Sequence, residues 1–409
     1  MRTLWSFFQN MKNYRPVTFI CLCIIFCMLI LTSKVFGDDF TLTPSISLEQ
    51  NFKDNILLNS SIGEKVNDAI TTVSPSIQMH EQTDRLVLDV SGGLSRFLYR
   101  DYPVFDATDK SASSNLSYRL SQISDLSLSA DYRDNSQPDQ DIARTGLILG
   151  PSENIFSQYN FTWDQYLSEK TSWQMNLSRN EETYNNPKYI DNNTNSVNLT
   201  LSRNIEDLLE NSSISIQGGF QRVVFSRSIE DNADTSSLFL GMQKNITQTI
   251  STQFSLGLQS SVSTFDTSFV PFLHERDNGM VGQFLIKEIG EYGESSLNIS
   301  RNIGVNNESS GLLNRTSVVI NVNRRFTEEL SANLSCYFFL NKASKSEFST
   351  TNFNEQTFCL NPSLIYKFND SWQATAMYEY VLIRDIQNPT VIRGSTTSIS
   401  ISYSFKLME

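Results

Sequence analysis

From residue 38 to the C-terminus the chain alternates apolar and polar residues, and this one feature decides most of what it can fold into. Successive side chains of an extended strand point to opposite faces, so such alternation makes a strand that is apolar on one side and polar on the other. The last stretch is the clearest. Ile399, Ile401, Tyr403, Phe405 and Leu407 interleave with Ser398, Ser400, Ser402, Ser404 and Lys406. Leu330, Ala332, Leu334, Cys336, Phe338 and Leu340 alternate with Asn333, Ser335 and Asn341, and Trp372, Ala374, Ala376, Tyr378 and Tyr380 with Gln373, Thr375 and Glu379.

Short polar turns divide the strands into hairpins at 82–84, 122–125, 168–171, 205–211, 245–249, 290–293, 327–329 and 369–371. The turns recur about every 41 residues, an internal repeat of one hairpin and one longer loop. Between them lie connections of about ten residues rich in Asn, Asp, Ser and Glu, among them 59–67, 134–142, 228–235, 266–278 and 385–393. Eight hairpins, an opening strand near 42–51 and a closing strand near 395–407 make 18 strands. An even number, with short turns at one end and longer loops at the other, predicts an 18-stranded antiparallel transmembrane β-barrel with short periplasmic turns and longer extracellular loops. A solenoid, a propeller or a large sandwich is the competing all-β reading. Each would need a second apolar set to build its interior, and here the second face is Ser, Asn, Gln and Thr in strand after strand. Trp163, Tyr166, Trp173, Phe368 and Trp372 flank short turns, where a membrane interface would place them.

The first 37 residues read differently. Arg2, Lys12 and Arg15 precede the apolar run Val17 to Leu31, and Val35-Phe36-Gly37 stands before Asp38, the layout of a cleaved secretory signal peptide. The expected domains are therefore 1–37, a signal peptide, and 38–409, an outer-membrane barrel. Removing the four basic residues of that segment leaves 28 of the 32 Lys and Arg against 44 Asp and Glu, a net charge of −16. An exported chain so acidic is not expected to bind nucleic acid. Mean hydropathy is −0.28, the consequence of alternation. Three of the five cysteines fall in the first 37 residues; Cys336 on the apolar face and Cys359 on the polar face of their strands are expected to remain free thiols.

The C-terminal Tyr403-Ser404-Phe405 in an alternating last strand resembles the assembly signal of bacterial outer-membrane barrels, although this chain continues through Lys406 to Glu409. More narrowly, Thr43-Pro44-Ser45-Ile46-Ser47-Leu48-Glu49-Gln50 with Asp54-Asn55-Ile56, then Ser74-Pro75-Ser76-Ile77 and Arg85-Leu86-Val87-Leu88-Asp89, resembles the start of outer-membrane barrels associated with exopolysaccharide and exosortase (PEP-CTERM) loci. That resemblance implies an export conduit in the outer membrane of a Gram-negative bacterium. The implied partners are outer-membrane lipids, the barrel-assembly machinery acting through the C-terminal strand, polysaccharide and an envelope-spanning export complex.

Little in the chain suggests catalysis. The two histidines, His80 beside a short turn and His274 in a long loop, fall at opposite ends of the expected barrel and cannot share a site. No enzyme activity, cofactor or metal is expected. The acidic groups Asp134, Asp139, Asp141 and Glu230, Asp231, Asp234 lack the spacing of a calcium loop and read as solvated loop residues. What remains is the lumen. Strand parity points Glu49, Asp89, Arg119, Asp131, Asp164, Lys287, Asn321, Asn323, Asn333, Lys367, Gln373 and Glu379 inward, a lining whose amides, hydroxyls and sparse charges of both signs suit a passing polar solute or polymer. The expected function is a channel: an export conduit or a porin for polar solutes. The alternative is a non-conducting structural or adhesive barrel, which would need a plug, and loops this short show no inserted domain.

Overall fold

The computed structural model describes residues 39–60, 65–137, 139, 142–147, 153–187, 189–226, 230–265, 273–306, 311–343, 353–387 and 390–407. The expected signal peptide and Asp38 lie outside the described residues. Eighteen strands account for nearly all the rest: β1 (Asp39–Lys53), β2 (Asp68–Gln82), β3 (Leu86–Tyr99), β4 (Ala107–Ser121), β5 (Ser124–Asn135), β6 (Asn154–Ser168), β7 (Thr171–Tyr184), β8 (Asp191–Asn204) and β9 (Ser212–Ser226) form the first half. The second half is β10 (Glu230–Asn245), β11 (Ile250–Phe265), β12 (Leu273–Gly290), β13 (Gly293–Asn306), β14 (Gly311–Arg325), β15 (Leu330–Ala343), β16 (Phe353–Lys367), β17 (Trp372–Asp385) and β18 (Val391–Ser404). The described helical segments are two single turns, Pro103–Phe105 and α1 (Ile142–Thr145).

Every strand pairs antiparallel with its sequence neighbours, and β1 pairs with β18 through Ile46↔Tyr403 and Leu48↔Ile401, closing the sheet on itself. The protein is a closed 18-stranded antiparallel β-barrel of the outer-membrane type. The C-terminal residues continue the seam past β18: the amides of Phe405 and Leu407 donate to the carbonyls of Pro44 and Leu42. The paired registers, followed once round the ring, return to β1 displaced by about 22 residues, which tilts the strands by roughly 40°. With strands about 4.8 Å apart, that closes a wall roughly 35 Å across between backbones.

Directly paired residues share a face, so parity can be carried round the ring. The outward set includes Leu48, Leu128, Leu199, Ile216, Leu240, Leu258, Ile320, Leu364 and Ile401, exposed aliphatics that only a lipid surround would accept in such number. Aromatic pairs edge this surface on the turn side: Trp163 against Trp173 at 4.9 Å, Trp372 against Tyr403 at 4.8 Å and Tyr366 against Phe368 at 5.1 Å between ring centroids.

All eight short turns fall where the alternation breaks. In the turn between β12 and β13 Gly293 has φ of 148°, and a Cβ there would meet the Asn323 carbonyl oxygen, so the position requires glycine. The long connections differ from expectation. Much of 228–235 belongs to β10, and 273–278 to β12, because Asn, Asp and Ser at a strand end still keep their backbone in the ladder when a neighbouring strand is present to pair with. One connection is longer than expected, from 136 to 153, and its described residues do not all stay outside.

Candidate functional site

Residues 136–137, 139 and 142–147 of the connection from β5 to β6 lie inside the ring. They touch strands on both sides of the barrel, which a single segment can do only through the interior. Near its start, the Ser136 hydroxyl donates to Asp109 on β4 at 2.6 Å, and the Tyr99 hydroxyl on β3 donates to Gln137 Oε1 at 2.9 Å. Lys53 at the end of β1 reaches Asp139 at 2.6 Å, with both side chains less than a fifth exposed. Arg144 lies over the Phe156 ring of β6 at 4.9 Å and pairs with Glu182 of β7 at 2.6 Å. On the far wall, Asn341 Nδ2 of β15 donates to the Thr145 carbonyl at 3.2 Å and the Thr357 hydroxyl of β16 to the Gly146 carbonyl at 2.5 Å.

Local chemistry shapes the segment for this seat. The Ile142-Ala143-Arg144-Thr145 turn ends at Gly146, whose amide donates to the Ile142 carbonyl at 2.8 Å. Gly146 has φ of 69°, and a Cβ there would stand 2.5 Å from the Phe339 side chain, so the helix end can approach β15 only with glycine in place. Ile142 then inserts among Leu58, Cys359, Val381 and Ile383, with Tyr337 and Ile392 packed around them. Burying one such aliphatic side chain is worth about 2 kcal/mol. Two further apolar clusters stand at the same end: Ile56, Ile70 and Tyr99, and Ile190, Val223, Phe225 and Ala233. The expectation of a lumen without an apolar set is thus corrected, and although no inserted domain is present among the described residues, a short loop segment enters the ring. Alternation fixes which face is inward but not which residues an inserted segment needs there.

All twelve lining candidates share the face that the inserted segment touches. The wall pairs most of them locally rather than gathering them at one point. Asp89 meets His80 at 2.7 Å, Arg119 meets Asp125 at 3.8 Å, Asp164 accepts from Gln174 at 2.7 Å and Lys287 meets Glu294 at 3.1 Å, all close to the short-turn end. Ser335 donates to Asn321 at 3.0 Å, Asn323 stands in register with Asn333, and Lys367 with Gln373. Glu49 stands across from Ser400, and Asp131 from Ser113 and Gln158, along the middle of the wall. Glu379 differs from the others. It lies in one row with Thr396 and Lys53, and Lys53 holds Asp139, so Glu379 stands beside the inserted segment. His80 lies at the short-turn end and His274, paired with Thr264, at the other. Cys336 and Cys359 are unbridged on opposite faces. The expected acidic groups are dispersed: Asp134 pairs with Lys110 on the outer face, Asp139 with Lys53 inside, and Asp234 with Arg222; Asp141 lies outside the described residues.

Sequence reasoning missed Lys53, Tyr99, Asp109, Phe156, Glu182, Asn341 and Thr357, the residues that seat the segment. One signal was present. Ile142 and, just past the loop expected at 134–142, Leu147-Ile148-Leu149 place four large aliphatics in a stretch without apolar–polar alternation, and such a cluster calls for a surface to bury it.

No family model and no curated protein matches this chain. Among solved structures it is similar to the OccK2 (OpdF) protein of Pseudomonas aeruginosa, with 10% identity, 91% of this chain and 100% of that one covered, and a TM-score of 0.48. It is also similar to OccAB4 of Acinetobacter baumannii, with 8% identity, 91% and 99% coverage and a TM-score of 0.43. The siderophore receptor PirA from Pseudomonas aeruginosa aligns at 11% identity over 89% of this chain and 80% of its own, with a TM-score of 0.45. At these identities the likeness is one of barrel architecture.

Proposed function

We propose that this protein is a passive channel of the bacterial outer membrane, its long loops outward, whose conductance is set by the segment seated across the loop-side end of the lumen. The observation that supports it most is the seat itself: charged pairs and an apolar plug residue hold a short segment inside a ring wide enough to pass water without it. The wall below that level is Ser, Asn, Gln and Thr with paired charges of both signs, which lets a polar solute exchange hydration for wall contacts without being held tightly. Taken with the resemblance to barrels of exopolysaccharide loci, the cargo proposed is a hydrated polysaccharide chain, handed over by an export complex in the periplasm. Small polar solutes are the simpler cargo for the same lumen.

The apolar clusters around the segment favour one rival, a barrel whose lumen is closed and whose loops serve adhesion. Planar-bilayer recording of the purified full-length protein separates the two. Step currents of uniform size, reduced by added polysaccharide, support the conduit. A barrel that migrates as a folded, heat-modifiable species yet carries no current overturns the channel and leaves the structural role.

A further inference from the structure

The outer face of the barrel carries its cations in two unlike settings. At four positions in the first half of the ring an outward cation has an acid beside it: Arg96 lies 4.0 Å from Asp106, Lys110 lies 2.8 Å from Asp134, Arg222 holds Asp234 by two bonds, and Arg179 pairs with Glu181. Other outward cations have no ion pair among the described residues, and three of these gather at one rim between β15 and β18. Lys342, Arg384 and Arg393 are exposed on the outward face and have no ion pair among the described residues. Their acidic sequence neighbours point elsewhere, since Glu355 and Asp385 stand on the lumen parity. The acid nearest in register, Asp54, instead accepts the Ser395 amide at 2.6 Å.

The height of these cations matters as much as their charge. On β15 the outward residues run Leu330, Ala332, Leu334, Cys336, Phe338 and Leu340 before Lys342, and on β17 they run from Trp372 to Leu382 before Arg384. At about 3.4 Å per residue and roughly 40° of tilt each run is about 25 Å tall, the height of a membrane's apolar band. The cations therefore sit one step above the band, facing lipid rather than the lumen or the loop tips. Arg384 lies across from Gln356, Lys342 across from Asn354, and Arg393 is diagonal to Arg384. Lys342 and Arg384 are two strands apart, roughly 10 Å.

We propose that this patch, Lys342, Arg384 and Arg393 with Gln356 between them, binds the phosphate-bearing headgroup of a lipid in the outer leaflet. Arginine meets phosphate oxygens through paired N–H donors. A lipid whose acyl chains lie against Phe338, Leu340 and Leu382 brings its phosphate to this level, whereas a free anion gains nothing from the apolar surface beneath. The inference rests on the orientation in the proposed function, with the long loops and this rim outward.

The test is retention of lipid by the full-length barrel. Protein is folded into phosphatidylcholine vesicles doped with a bis-phosphorylated diglucosamine lipid, with its dephosphorylated counterpart, or with inorganic phosphate added instead. Insertion is read first by heat-modifiable migration, then co-purifying lipid is measured by native mass spectrometry. The phosphorylated lipid is expected to be retained and the other two additions not. Combined K342Q, R384Q and R393Q substitutions are expected to lower retention on the order of a hundredfold, at about one kcal/mol per basic residue near a charged membrane surface. The paired-side variant K110Q with R222Q is expected to retain lipid as wild type does. Equal retention by wild type and the triple variant, or equal retention of the dephosphorylated lipid, overturns the site. Failure of the wild-type protein to insert would instead overturn the barrel reading on which the orientation depends.

Discussion

The two ends of the lumen are built from opposite materials. Toward the short turns the inner wall is small and wet, with Ser213, Ser215 and Gln217 on β9, Ser251, Gln253 and Ser255 on β11, and Ser400 and Ser402 on β18. Toward the long loops it resembles the interior of a soluble domain, with Ile70, Val223, Phe225, Phe339, Val381 and Ile383 all nearly inaccessible. Both ends keep the same alternation, so the difference lies in what each faces. Water satisfies a Ser or Gln at no cost, while an inserted segment is held only by surface that prefers contact to water. A tube of this kind is filled where a segment crosses it and left to water where none does.

This contrast is open to direct challenge, and the largest effect comes from emptying the seat. Ile142→Asp buries a carboxylate among Leu58, Val381 and Ile383, a penalty large enough to expel the segment. Single-channel conductance is expected to rise several-fold with the barrel still folded; unchanged conductance would show that the segment does not limit flow. Lys53→Met leaves Asp139 without its cation and removes a donor from Gln137. Loss of one partner of a largely buried pair costs about 3 kcal/mol, read as faster amide exchange across 136–147, with exchange in β9 and β11 unaltered. Gly146→Ala combines strained backbone with the Phe339 collision, and a shift of the segment by about 1–2 kcal/mol is expected in the same exchange measurement.

Changes at the wet end are expected to be small. Ser335→Ala removes a hydrogen bond to Asn321 where water can replace it, so thermal stability is expected to stay within about 0.5 kcal/mol of wild type. The smallest effect is in the turn after β8, where the Lys170 ammonium bonded to Asp207 holds that carboxyl below its ordinary range. The contribution exists above the unfolded carboxyl's pKa and fades as pH falls through the folded value. Lys170→Gln is expected to return the Asp207 titration, followed by NMR, to higher pH without changing conductance. A conductance change there would mean that the two ends are coupled.

The strands were legible because alternation is written in each one separately: Ile399 to Leu407 needs no partner to declare its faces. The turns were legible because Asn369-Asp370-Ser371 interrupts that rhythm and Asn369 Oδ1 accepts the Ser371 and Trp372 amides. The loop ends were read too long, since Asn and Asp mark a loop only where no neighbouring ladder claims them. The inserted segment was illegible for another reason. Thr357, Asn341 and Glu182 are scattered over the sequence and meet only after the ring has closed, and no local pattern encodes that meeting.

The seam between β1 and β18 sets the order of events in making this molecule. Every other neighbour pair is joined by a connection the chain supplies locally, whereas Ile46 must find Tyr403 across nearly the whole length of the protein. Loop-closure entropy and the slowness of distant pairing put that step last. The segment that narrows the lumen draws on Lys53 beside the seam and on β15 to β17 across from it. Its seat therefore does not exist until the seam is shut, so the barrel passes through a wide-open form before it reaches its narrowed one, and assembly ends with the fitting of its own restriction.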